Sequence, residues 1–215
     1  MATEIELKAH IQDSEAMRLL LYEKAEYIGA FEKDDTYWFS DQVSDLPSSG
    51  LRVRREKRSL PDGTVESVTL ATYKIKEVRD GIEINDEREF EIRSLSCRSE
   101  SEFEEFLRLM GFKPGAAKKK RGWAFSGKGI SAELAEVEGL GWFVELEILA
   151  NGIYADGSNA DNRDLAIAEG KKRLLDFLAG LGVEKEAIES RYYTEMLRER
   201  KAMSMPPKQK DGCCV

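Results

Sequence analysis

Six short segments of this chain alternate a polar residue, nearly always an ionisable one, with an apolar one. At the start, Glu4, Glu6 and Lys8 alternate with Ile5, Leu7 and Ala9. A period of two puts each class on its own face of a strand. Arg52 and Arg54 stand against Leu51 and Val53, and Lys74 and Lys76 against Tyr73 and Ile75. In "IEINDEREFEI" the polar side is Glu83, Asn85, Glu87, Glu89 and Glu91. In "KKKRGW" we assign Lys119 and Arg121 to the polar side, which leaves Lys118 and Lys120 to solvent. Glu145 and Glu147 alternate with Val144, Leu146 and Ile148.

For any one strand, a wet face over a buried face is the commoner reading. Across the set, three features weigh against it. The polar positions are nearly all ionisable. Their sign segregates, with acidic pairs on the first and last segments and basic pairs on most of those between. Amphipathic helices are also available to cover the apolar faces. Such a sheet can close with its charges inside. Buried charges cost several kcal/mol each unless compensated. Basic pairs call for a polyanion, and paired carboxylates call for a divalent cation with oxygen ligands. A metal-bound polyphosphate satisfies both.

The 215 residues, 41% hydrophobic and 34% charged, suit one generous domain or two small ones. No repeat or shift of composition marks a second domain. We expect one domain over 1–203 and a disordered tail over 204–215. No apolar run nears the ~20 residues of a membrane span, and no signal peptide is expected. Cys97, Cys213 and Cys214 make no disulfide framework, so a reduced, cytoplasmic setting is expected. A prenylation box would need its cysteine where Gly212 stands. The net charge of −8 argues against a nucleic-acid partner. The single histidine, His10, excludes histidine-rich metal sites. It shares the parity of Lys8, though a strand-end position is the plainer reading.

Strands are expected at 3–12, 33–40, 51–58, 65–78, 82–92, 118–127, 130–139 and 142–149. Helices are expected at 13–29, 99–112, 159–182 and 184–201. Asp13 or Ser14 caps the first helix, Gly29 lies near its stop, and Ser101 with Glu104 forms a capping box on the second. A loop is expected at 44–50. Many strands with few crossovers indicate an antiparallel sheet, curled or closed, under packed helices. Trp38, Trp123 and Trp142 are expected to pack within the fold before they stack on a ligand.

The segments "EIELK", "LRVRRE", "TYKIK", "DEREFEI", "LMGF", "KKKRGW", "EGLGWFVELEI" and "RYYTEML" occur in this order. In that order they resemble the CYTH, or triphosphate tunnel metalloenzyme, superfamily over residues 4 to about 197. The superfamily includes class IV adenylate cyclases, thiamine triphosphatases and inorganic triphosphatases. The resemblance implies an α+β fold with a closed eight-stranded antiparallel barrel. It implies Glu4, Glu6, Glu145 and Glu147 as ligands of Mg2+ or Mn2+, with Glu4, Glu6 and Lys8 as catalytic residues. It places Lys8, Arg52, Arg54, Lys74, Lys76, Lys119 and Arg121 along the triphosphate path, with Glu87 and Glu89 on a mid-chain acidic strand. It makes Arg191 the basic residue of a late helix that closes on substrate. Two positions depart from the pattern. Asn85 stands where an arginine is frequent, and Ala135 where an aspartate is usual; Glu133, on the same face, is the candidate substitute.

Three activities follow. The first, favoured by the overall pattern, is cyclisation of ATP to cyclic AMP and pyrophosphate, as in class IV adenylate cyclases. The second is hydrolysis of inorganic triphosphate, thiamine triphosphate or a nucleoside triphosphate. The third is non-catalytic sensing of such an anion, which would not need four acids. The partner is a triphosphate-containing small molecule in each case, and a homodimer is left open.

Overall fold

The computed structural model describes residues 2–41, 51–93, 99–150 and 160–204. The expected loop at 44–50, the side chain of Ser101, Cys97 and the tail beyond Ser204 lie outside the described residues. The strands are β1 (Ala2–Ile11), β2 (Glu26–Phe39), β3 (Leu51–Ser59), β4 (Val65–Arg79), β5 (Ile82–Glu91), β6 (Lys113–Gly127), β7 (Ile130–Val137) and β8 (Gly141–Leu149). The helices are α1 (Ser14–Lys24), α2 (Ser99–Leu109), α3 (Ala160–Gly180) and α4 (Tyr193–Ser204). The strands close into one antiparallel barrel in the order β1-β5-β4-β3-β2-β6-β7-β8. Among the described residues, no helix is long and apolar enough to cross a membrane.

The main apolar core lies between the barrel wall and the helices, outside the barrel. Ile5, Leu7 and Ala9 of β1 and Val144, Leu146 and Ile148 of β8 pack with Met17 and Leu21 of α1 and Leu174 and Leu178 of α3. Burying each such side chain stabilises the fold by about 1.5–3 kcal/mol. Helix α3 comes close enough because Gly170 has no side chain: a Cβ there would run into Ile5 Cδ1. A second cluster, Trp38, Val53 and Leu107, seats α2 on β2 and β3. With the outer faces covered, the polar parity of each strand turns inward.

Three expectations change. Helix α1 stops at Lys24, and the chain enters β2 at Glu26, seven residues before the expected start. Gly29 therefore sits in a strand, at a register shift between Tyr27 and Gly29 in the pairing with β6. Its φ is +153°, and a Cβ there would lie 2.6 Å from the Ser59 carbonyl oxygen. The last helix begins at Tyr193, after a 3-10 turn at Lys185–Ala187 and a bridge between Ala9 and Ile188.

The third correction concerns the phase of β6. Phe125 is buried against Tyr22 of α1, ring centroids 5.2 Å apart and edge-on. Trp123 stacks on Trp142 at 5.6 Å, with Arg18 over its ring at 4.7 Å. These contacts fix one face of β6 as the outer one. Counting back in twos puts Arg121 and Lys119 on that same outer face. Lys119 is 61% exposed and pairs with Asp34, and Arg121 is 73% exposed and pairs with Glu136. Lys118 and Lys120, expected in solvent, point inward at 6% and 4% exposure.

Candidate active site

The inward faces enclose a cavity of 320 Å³ whose walls are charged almost throughout. Eight carboxylates and seven cationic side chains line it, and its aromatic rings are Tyr37, Tyr192 and Tyr193. The volume is at the small end of the usual range for ligand clefts, about 300–1,000 Å³.

Glu4, Glu6 and Glu147 meet on one wall. Glu6 lies opposite Glu147 in the β1–β8 pairing, and Glu4 is two residues along the same face. One oxygen of each falls within 4.8 Å of the others. Lys74 Nζ is the shared counter-charge, 2.6 Å from Glu4, 2.9 Å from Glu87 and 3.6 Å from Glu6. No hydrogen bond or ion pair reaches Glu147 among the described residues. Burial, with Glu4 and Glu6 nearby, pushes its carboxyl up to about 8. Burial and the neighbouring Glu87 and Glu6 raise Glu4 to about 7, against the pull of Lys74. Glu87 goes the other way. Burial pushes it up, but Lys74 and Arg52 outweigh that and hold it at about 2. Three carboxylates short of positive charge, all offering hard oxygens, fit Mg2+ or Mn2+.

The fourth expected ligand stands apart from the three. Glu145 accepts a hydrogen bond from Lys120 Nζ at 2.7 Å and another from the Tyr193 hydroxyl at 2.8 Å. Glu133, the candidate substitute, also faces inward but accepts from Lys33 at 2.5 Å and Lys120 at 2.7 Å. Despite burial, those two lysines hold it well below the carboxylate range.

The cations occupy the remaining walls. Arg54 grips Asp35 with two hydrogen bonds, 2.7 and 3.0 Å, and Lys118 approaches the same carboxylate at 3.1 Å. Asp35 is fully buried, yet Lys118 and Arg54 keep it ionised well below its usual range. Arg52 and Lys76 are held more loosely. Arg52 donates to Thr72 at 2.9 Å and lies 3.4 Å from both Glu87 and Glu89. Lys76 lies 3.4 Å from Glu83, with its ammonium 4.6 Å from the centre of the Tyr192 ring.

The structure thus brings Glu4, Glu6, Arg52, Arg54, Lys74, Lys76, Glu87, Glu89, Glu145 and Glu147 to one cavity. Lys8 shares the inward face but is 2% exposed, ion-paired with Glu83 and packed near Tyr193, behind the cavity wall. Arg191 is outside. It precedes α4, is half exposed, and pairs with Glu189 at 2.6 Å and Glu199 at 2.9 Å. His10 is also outside the cavity, 3.2 Å from Glu189. Lys33, Asp35, Tyr37, Lys118, Lys120 and the two tyrosines before Thr194 were missed as site residues. In "KDDTYW" both faces carry polar groups, so alternation alone gives no phase. For β6, the "WAF" triplet held the signal, because its aromatic rings mark the outer face.

No family model and no curated protein matches the sequence. Solved structures do match. The PH1819 protein of Pyrococcus horikoshii is 27% identical, with a TM-score of 0.70, over 92% of this chain and 99% of its own. A candidate adenylate cyclase from Vibrio parahaemolyticus is 18% identical, with a TM-score of 0.68, over 91% of this chain and 97% of its own. The candidate adenylyl cyclase HpAC1 from Hippeastrum, which has a dominant triphosphatase activity, is 18% identical with a TM-score of 0.55. It covers 96% of this chain and 98% of its own. The closed eight-stranded antiparallel barrel that the motifs led us to expect is the fold observed, and these solved structures share it.

Proposed function

We propose that this chain is a divalent-metal-dependent enzyme that cleaves a phosphoanhydride bond of a triphosphate held in the tunnel. Hydrolysis of a compact triphosphate is the best-supported activity. The observation that carries the reading is the trio Glu4, Glu6 and Glu147 in one cavity with seven cationic side chains. The trio would hold Mg2+ or Mn2+, which when bound neutralises phosphate oxygens and polarises the bond to be broken. Arg52 and Lys76, the least engaged cations, bind phosphate oxygens with Lys118 beside them, and Arg54 supports them from its grip on Asp35. Water attacks the terminal phosphorus, the bridging P–O bond breaks, and inorganic triphosphate yields orthophosphate and pyrophosphate. Positioning and charge stabilisation supply most of the rate in such a transfer.

Cyclisation of ATP is the second reading. Two solved proteins with this fold are candidate cyclases, and one of them acts chiefly as a triphosphatase. Tyr192, partly exposed at the cavity wall, is the ring that favours it, as a platform for a base. Hydrolysis is placed first for two reasons. Lys76 already covers that ring, and Lys8 and Lys118 cover Tyr193 at 5.3 and 5.1 Å. The three tryptophans pack outside the barrel, so none is available to stack on a base.

The test offers inorganic triphosphate, ATP and thiamine triphosphate separately, with Mg2+ or Mn2+, and resolves the products. We expect orthophosphate from inorganic triphosphate, and a loss of roughly hundredfold or more in Glu4→Gln. Cyclic AMP with pyrophosphate as the faster product would establish the second reading. Tight binding without turnover would make the protein a sensor.

A further inference from the structure

We infer that Tyr193 is a positioning residue: with Lys120 it withholds Glu145 from the carboxylate trio, so the metal site is built on Glu4, Glu6 and Glu147. The inference rests on the metal reading above and deepens it. Glu145 and Glu147 alternate on one strand and face the same cavity. Only Glu147 joins the group within 4.8 Å. The difference lies in their partners. Glu147 has none among the described residues, whereas both oxygens of Glu145 are taken, Oε1 by the Tyr193 hydroxyl and Oε2 by Lys120. A cation on Glu145 would lie beside the Lys120 ammonium and be repelled by it, and the Tyr193 hydroxyl holds the carboxylate in that orientation. Tyr193 itself is 8% exposed and is fixed by Phe143, edge-on at 5.0 Å, and by Met196 in the same apolar cluster. It stands at the first position of α4. The seating of that helix on the barrel end therefore decides which of two neighbouring glutamates is open to metal.

The substitution Tyr193→Phe keeps the ring and the net charge and removes only the hydroxyl, so it tests the hydrogen bond without altering long-range attraction for a cation. Manganese binding is measured by titrating the free ion by electron paramagnetic resonance, with melting temperature as a check on folding. In the wild-type chain, Glu147→Gln should weaken Mn2+ binding roughly tenfold or more, the loss typical of altering a metal's immediate surroundings. Glu145→Gln should change it less than about threefold, or about 0.65 kcal/mol. Tyr193→Phe should tighten binding, and adding Glu145→Gln to that variant should cancel the gain. A purely structural tyrosine would lower the melting temperature without this non-additivity. If Glu145→Gln weakens binding as much as Glu147→Gln, the inference is overturned while the metal reading stands. If the wild-type chain binds no Mn2+, the metal reading fails and takes the inference with it.

Discussion

At the scale of single residues, the site is a problem of unequal partners. Glu147 and Glu4 are acids short of positive charge, and Lys74 is shared among several. The sign of the pH effect follows. Folding raises Glu147 from an ordinary 4.5 to about 8. Its neutral form is therefore favoured by the fold, a contribution fully present below about 4.5 and lost as pH rises through about 8. With divalent metal chelated, urea unfolding should show stability falling across that window. Glu147→Gln should flatten the fall. Saturating Mg2+ should do the same for the wild-type chain. The inward lysines make a second test. Lys118→Ala should weaken triphosphate binding roughly tenfold, since charge-assisted hydrogen bonds are worth about 1.5–3 kcal/mol. Lys119→Ala, on an exposed pair, should cost less than about 1 kcal/mol in stability and leave binding unchanged; calorimetric titration of both variants checks this. Glu4, Glu6 and Glu147 were legible in the sequence as inward residues because apolar neighbours set their phase. So was Glu145. Its tie to Tyr193 joins positions 48 apart, which no local pattern reveals.

Among elements, β1, β3, β4, β5 and β8 read in the right phase, whereas the start of β2 and the phase of β6 did not. In β6 three lysines and an arginine run together, so the phase rests on aromatic residues further along. In β2 the first half resembles a continued helix, and only the lack of a side chain at Gly29, facing the Ser59 carbonyl, shows a strand crossing there. A comparable constraint gives a test at the β6–β7 contact. A Cβ at Gly122 would collide with the Leu134 carbonyl oxygen. Gly122→Ala should therefore lower stability by about 1–3 kcal/mol through overpacking, read as a lower midpoint of urea unfolding. The start of α4 was hidden for another reason. The helical signal of 184–201 is real in composition, but Glu189 accepts from the backbone and side chain of Arg191, at 3.0 and 2.9 Å, and turns the chain before the helix begins.

In the whole molecule, closing the sheet removes every strand edge and leaves one interior with eight acids and seven bases on its cavity wall. With its acids and bases paired, the interior behaves like a loaded ion exchanger. An entering phosphate does not meet bare cations; it must displace carboxylates tethered beside them, which never diffuse away and act at a high effective concentration. Orthophosphate, with little charge to offer, is a poor competitor in such an exchange. On the proposed reading, a triphosphate would succeed by engaging several cations together, with metal held by Glu4, Glu6 and Glu147. The displaced acids would then favour re-forming their ion pairs, so the residues that resist entry would also help to expel shorter products.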